Sequence, residues 1–133
     1  MEISRRALEG VEGGALLAPA GVLRGTASLS LREAFEREMR EGAKALLLDL
    51  GAVESIDSAT MGFLLDAHER LRARNGTLVL AALSPAVQMV LDSVGLLGFF
   101  TVAETVSDAA AALRLGSDLG KAGSGSGSDI RAL

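Results

Sequence analysis

Residues 45–62 read ALLLDLGAVESIDSATMG, and the fold class is decided there. The run Ala45-Leu46-Leu47-Leu48-Asp49-Leu50 is almost continuously apolar between Lys44 and Gly51. That is the composition of a central strand covered on both faces, because a strand with one wet face would alternate. Ala52 to Ile56 reads as a loop. A helix then begins with Asp57 or Ser58 as N-cap, both able to accept from the free N–H groups of a first turn. Met61, Leu64, Leu65 and Leu71 fall on one stripe until Asn75-Gly76 ends it. A buried strand, a short return and a polar Asp-Ser-x-Thr cluster at a helix start together suit an α/β sheet, whose functional groups gather at the carboxyl ends of its strands.

Outward from this stretch the alternation continues. Thr77 to Leu83 is a second buried strand. Ser84-Pro85 then starts a helix, serine as cap and proline at the first position, where its missing N–H costs nothing; this helix runs to about Val94 and stops at Gly95. Phe99 to Val102 forms a last short strand and Val106 to Leu115 a last helix. Upstream, Ile3 to Leu8 reads as an edge strand and Ala15 to Ala20 as a buried strand closed by Pro19 and Gly21. Ser30 with Glu33 resembles a capping box, after which Leu31, Ala34, Phe35 and Met39 recur at helical spacing until Gly42. The prediction is an α/β domain over residues 1–115, a mixed, mainly parallel sheet of four to five strands flanked by four to five helices. Residues 116–133, with alternating Gly and Ser from 123 to 128, read as a flexible tail outside the fold.

Composition narrows the function. The 133 residues are 49% hydrophobic with net charge −4, and Lys and Arg are interspersed with Asp and Glu, so the basic footprint of a nucleic-acid binder is missing. There is no cysteine, which removes disulfides, thiolate metal sites and thiol nucleophiles at once. Apolar runs are strand-sized, far short of the about 20 residues a membrane helix needs. Glu2, Arg5, Arg6 and Glu9 interrupt any signal-peptide core. A cytoplasmic protein without membrane insertion is expected.

Enzyme chemistry finds little support. No P-loop or GxGxxG pattern follows a strand, and neither a metal nor a cofactor is called for. A hydrolase would need Ser58 beside His68, the sole histidine, yet the two are ten positions apart on one predicted helix, about 15 Å at 1.5 Å per residue. His68 shares the stripe of Leu64, Leu65 and Leu71 and reads as a residue at the core edge. Asp57 and Ser58 taken singly read as ordinary caps.

The whole segment says more. Leu48-Asp49-Leu50, Ile56-Asp57-Ser58 with Met61-Gly62, Asn75-Gly76-Thr77, Ser84-Pro85-Ala86-Val87 and Gly95-Leu96 are ordered landmarks. With them residues Ile3 to Leu115 resemble the STAS domain of bacterial anti-sigma factor antagonists. The resemblance implies a STAS fold, no catalysis, and a regulatory phospho-acceptor at Ser58, with Thr60 as the alternative. It implies two partners, an anti-sigma factor that is also a serine kinase of GHKL type and a serine phosphatase, and a contact surface of Leu23, Arg24, Asp57, Ser58, Ala59, Thr60 and Met61. The unmodified antagonist would bind the kinase and release the sigma factor; the phosphorylated form would be idle. Where the family usually has Gly-Glu-hydrophobic-Asp, this chain has Gly21-Val22-Leu23-Arg24, and Ala59 and Thr60 replace its common Ser and Gly. A non-phosphorylated STAS scaffold subunit of a stress-sensing or lipid-transport complex is the alternative reading, and nucleotide binding a third.

Overall fold

The computed structural model describes residues 2–115 and 130–131. In chain order the elements are β1 (Glu2–Ala7), β2 (Gly14–Leu23), α1 (Thr26–Arg40), β3 (Ala45–Asp49), β4 (Val53–Ile56), α2 (Ser58–Ala73), β5 (Thr77–Ala81) and α3 (Pro85–Ser93). A 3₁₀ turn (Leu97–Phe99), β6 (Thr101–Ala103), α4 (Val106–Leu115) and β7 (Ile130–Arg131) follow. The sheet order is β1-β2-β3-β5-β6-β7, with β4 paired to β2 off that path. β2, β3, β5 and β6 are mutually parallel, whereas β1 and β7 run antiparallel to their neighbours. The mixed, mainly parallel sheet with helices on both faces is thus the predicted one. It has two strands more than anticipated, β4 and β7. The expected tail falls, apart from β7, outside the described residues.

The leucine run explains the two-sided core. In β3, Leu46 and Leu48 join a cluster with Leu31, Phe35 and Met39 of α1, Phe63, Leu64 and Leu71 of α2, and Val87 and Leu91 of α3. Leu47 and Ala45 face the other way, toward Ala109 and Leu113 of α4. Successive side chains of a strand point to opposite faces, so one unbroken apolar run serves both layers. Each fully buried leucine contributes about 1.5–3 kcal/mol.

Several boundaries differ from the sequence reading. β2 does not close at Pro19 and Gly21: Gly14–Leu17 pair with β3, and Gly21, Val22 and Leu23 pair with β4. Pro19 lies between the two parallel ladders, and Gly21, at φ +97°, carries the irregularity that lets the strand change partner. α1 starts at Thr26 rather than Ser30, so Ser30 lies inside the helix and caps nothing. The chain instead turns on Gly25, at φ +59°, whose N–H is taken by the Asp57 carboxylate 32 residues away. β5 stops at Ala81, with Ala82 at φ +57°, and the last parallel strand begins at Thr101, after the 3₁₀ turn. The Ser84 cap is as expected: its hydroxyl accepts from Val87 N and donates to the Val53 carbonyl.

His68 sits at the core edge, as its stripe implied, with its ring centroid 4.9 Å from Phe99 and 5.9 Å from Phe100. Its Nδ1 is buried and has no hydrogen-bond partner.

Candidate functional site

The C-terminal end of β2 and the N-terminal end of α2 are locked together by one carboxylate and one hydroxyl. Asp57, extended at φ −123°, is the N-cap of α2, and its Oδ1 accepts from Thr60 N at 3.0 Å. Its Oδ2 accepts from Gly25 N at 3.0 Å. The Thr60 hydroxyl donates to the Leu23 carbonyl at 2.7 Å and lies 3.0 Å from Asp57 Oδ1. The β2–α1 loop and the first turn of α2 therefore form one hydrogen-bonded unit.

The carboxyl of Asp57 is held below the usual aspartate range. The Gly25 N–H bond is the main cause, followed by the Thr60 N–H; partial burial opposes them, and the Thr60 hydroxyl and the Arg24 charge add smaller lowering contributions. Charge-assisted bonds to backbone N–H groups favour the ionised form.

Within this frame the residues singled out in the sequence separate into two groups. Ser58 and Ala59, the first two residues of α2, are exposed, as is Arg24. Asp57 and Met61 are half-buried, and Met61 packs against the core. Leu23 and Thr60 do not belong to an accessible surface: they are 0% and 1% exposed. Leu23 fills the core and offers only its carbonyl, to Thr60, and the Thr60 hydroxyl is spent on that bond, so in this conformation neither side chain is open to solvent and the Thr60 hydroxyl is not accessible. Val22 and Leu29, in contrast, are 51% and 57% exposed. Leu29 lies off the α1 stripe of Leu31, Ala34, Phe35 and Met39, so its spacing alone marks it as an apolar residue facing outward.

α1 and α2 lie side by side with the same polarity. Arg32 pairs with Asp66 at 3.2 Å, and one turn on in both helices Glu36 receives both guanidinium nitrogens of Arg70. Phe35 and Phe63 stack edge to face beneath, at 5.4 Å. Both N-termini therefore open at the same end of the molecule as Ser58.

Among the described residues no group of three or more His, Asp or Glu is placed to hold a metal ion, and no helix is long and apolar enough to cross a membrane. Among the described residues, shallow depressions lie over Leu83, Pro85, Gln88, Met89 and Asp92 of the α3 region, and over the charged face of α1. Neither includes Ser58. What remains at the start of α2 is an exposed hydroxyl on a turn hydrogen-bonded to the end of β2.

Comparison with known proteins bears on the family and the fold. The STAS domain family model matches residues 5–109. BtrV of Bordetella bronchiseptica, which carries the name of an anti-sigma factor antagonist, is 30% identical over 107 residues, 80% of this chain and 92% of its own. An anti-sigma factor antagonist from Mycobacterium paratuberculosis has a crystal structure that superposes with a TM-score of 0.71 at 26% identity, covering 85% of this chain and 95% of that one. SpoIIAA in its unphosphorylated form gives a TM-score of 0.72 at 20% identity over 85% of this chain and 96% of that one. The phosphorylated form of the Bacillus protein gives 0.67 at 19% over 85% and 100%. At such identities the SpoIIAA structures speak for the fold alone.

Proposed function

The chain belongs to the STAS domain family, with relatives among the anti-sigma factor antagonists, and from that premise we propose that it is the antagonist of a cytoplasmic partner-switching module. Unmodified, it binds an anti-sigma factor that is also a serine kinase of GHKL type. The kinase transfers the γ-phosphoryl group of ATP to Ser58 Oγ, breaking the bond to the β,γ-bridging oxygen so that ADP leaves and the hydroxyl proton is released, and the product dissociates; a serine phosphatase reverses the change with water, returning serine and inorganic phosphate. The observation that carries this reading is the contrast within one turn: Ser58 is exposed while Thr60, two residues on, is sealed with its hydroxyl in use.

The physics of such a switch is local. A phosphate adds about −1.5 to −2 charge and three acceptors, and at the first turn of a helix it meets unpaired N–H groups and the positive end of the dipole. The fold tolerates it. Across an interface the same charge brings desolvation and like-charge contact worth several kcal/mol, and each about 1.4 kcal/mol is tenfold in affinity.

The test is to incubate the chain with ATP and a purified anti-sigma factor kinase of GHKL type, locate phosphate by mass spectrometry, and measure binding of Ser58→Ala and Ser58→Asp. Phosphate on Ser58, with tight binding by the Ala variant and weak binding by a fully folded Asp variant, is expected. An unmodified Ser58 with equal affinities would refute the proposal in favour of a STAS scaffold that docks without phosphorylation.

A further inference from the structure

Arg24 is an exposed charged residue beside the turn that presents Ser58, and its backbone is fixed on both sides. The residue before it, Leu23, gives its carbonyl to Thr60, and the residue after it, Gly25, gives its N–H to Asp57. Arg24 is thereby pinned on both sides to the two residues that flank Ser58 and Ala59. The strand register says the same: Leu23 is opposite Ile56 in the β2–β4 ladder, so the next positions in step are Arg24 and Asp57. Yet Arg24 is exposed and has no carboxylate within ion-pairing distance among the described residues, unlike Arg5, Arg32 and Arg70. The nearby Asp57 carboxylate has both oxygens bonded inside the turn. A backbone fixed by these two bonds thus carries an exposed guanidinium that feels the Asp57 charge but closes no ion pair among the described residues, at the rim of the hydroxyl proposed to be modified.

We propose that Arg24 is the intramolecular counter-ion of phosphorylated Ser58: in the unmodified protein it is offered to a carboxylate on the docking partner, and in the modified protein it turns onto the phosphate and is withdrawn from the face. The inference rests on the reading of Ser58 as the modified residue and says how modification is transmitted. A guanidinium is suited to the task because it presents a planar fork of donors that matches phosphate oxygens two at a time. The surface around it holds no competing cation from α2's first turn, since residues 57–61 are Asp, Ser, Ala, Thr and Met. Phosphorylation then does two things with one group, adding negative charge and masking the positive charge of Arg24 beside it, so a partner that reads Arg24 with an acidic side chain loses its contact and meets repulsion instead.

The decisive experiment needs no kinase. Phosphoserine is installed at position 58 by genetic encoding, and its second ionisation is followed by phosphorus NMR in the otherwise native chain and in Arg24→Ala, with circular dichroism confirming that both are folded. Phosphate ionises near pH 6 when free; beside Arg24 it should ionise lower than in the Ala variant by about half a unit, a difference that shrinks as salt is raised. Identical titration in the two proteins overturns the counter-ion role, whatever kinase does or does not act on Ser58. With a purified anti-sigma factor kinase of GHKL type as probe, Arg24→Glu should weaken binding of the unmodified chain by about tenfold or more; unchanged affinity overturns the docking half of the proposal. Absence of enzymatic phosphorylation, in contrast, would count against the partner-switching function and leave the NMR result standing.

Discussion

Replacing Thr60 by valine tests whether the site is held together as described. The side chain is 1% exposed, and its hydroxyl donates to the Leu23 carbonyl at 2.7 Å. Valine has nearly the same shape and leaves the Thr60 N–H bond to Asp57 intact, but it faces that carbonyl with a methyl group. A buried acceptor stripped of its donor costs about 1–3 kcal/mol. Taking about 2 kcal/mol, and about 3–6 °C of Tm per kcal/mol for a domain of this size, the midpoint of thermal unfolding should fall by roughly 6–12 °C. Thr60→Ser keeps the hydroxyl and loses only a methyl group, for about 0.5–1 kcal/mol. Differential scanning calorimetry of the two variants decides the matter. A valine variant as stable as the parent, or a serine variant as damaged as the valine one, would show that the bond to Leu23 does not organise this corner. Because the bond also fixes Arg24 relative to Ser58, the valine variant should lose partner affinity as well, beyond what its stability explains.

Two further outcomes follow from single residues. The imidazole of His68 is held below the ordinary histidine range, mainly by burial against the Phe99 and Phe100 rings, with Arg72 adding to the effect and Glu69 opposing it. A folded-state value below the unfolded one means stability that is fully present above about pH 6.5 and declines as pH falls toward the depressed value, by at most about 1.4 kcal/mol per unit for one proton; urea titrations between pH 7.5 and 5.5 should show the decline, and His68→Phe should flatten it. Gly62, an exposed helical glycine where an added Cβ would meet nothing within 4 Å, costs α2 about 0.5–1 kcal/mol relative to alanine, so Gly62→Ala should raise Tm by about 2–5 °C, and a lowered Tm would mean that the helix is not regular there.

The parts of the fold that were legible in the sequence are those written in local patterns. The leucine run of β3 announced a two-faced strand, Ser84-Pro85 a helix start, and the Met61, Leu64, Leu71 stripe the buried side of α2, because burial and capping there depend on spacing within a few residues. β4 was not legible. Val53–Ile56 is four residues long between a turn and a cap, and it becomes a strand only because β2 continues past Gly21 to meet it. The start of α1 at Thr26 was hidden for the same reason: its entry turn is satisfied by Asp57, 32 residues downstream, so no cap needs to stand beside it. Of the site, the polar cluster was visible, while the burial of Leu23 and Thr60 was not, since it depends on that same non-local contact.

That contact also explains why Ser58 in particular is presented to solvent. Successive residues of a helix are turned by about 100° at 3.6 per turn. Asp57 is fixed to the loop at Gly25, and Thr60, three positions on, returns to nearly the same side and is drawn into the crevice by the Leu23 carbonyl. Ser58 stands about 200° away from Thr60 on that count, and therefore faces outward, with Ala59 beside it. The inward pull on Thr60 and the outward display of Ser58 are one geometric fact. Loosening the first therefore disturbs the second, so the least accessible hydroxyl of the turn governs the orientation of the most accessible one.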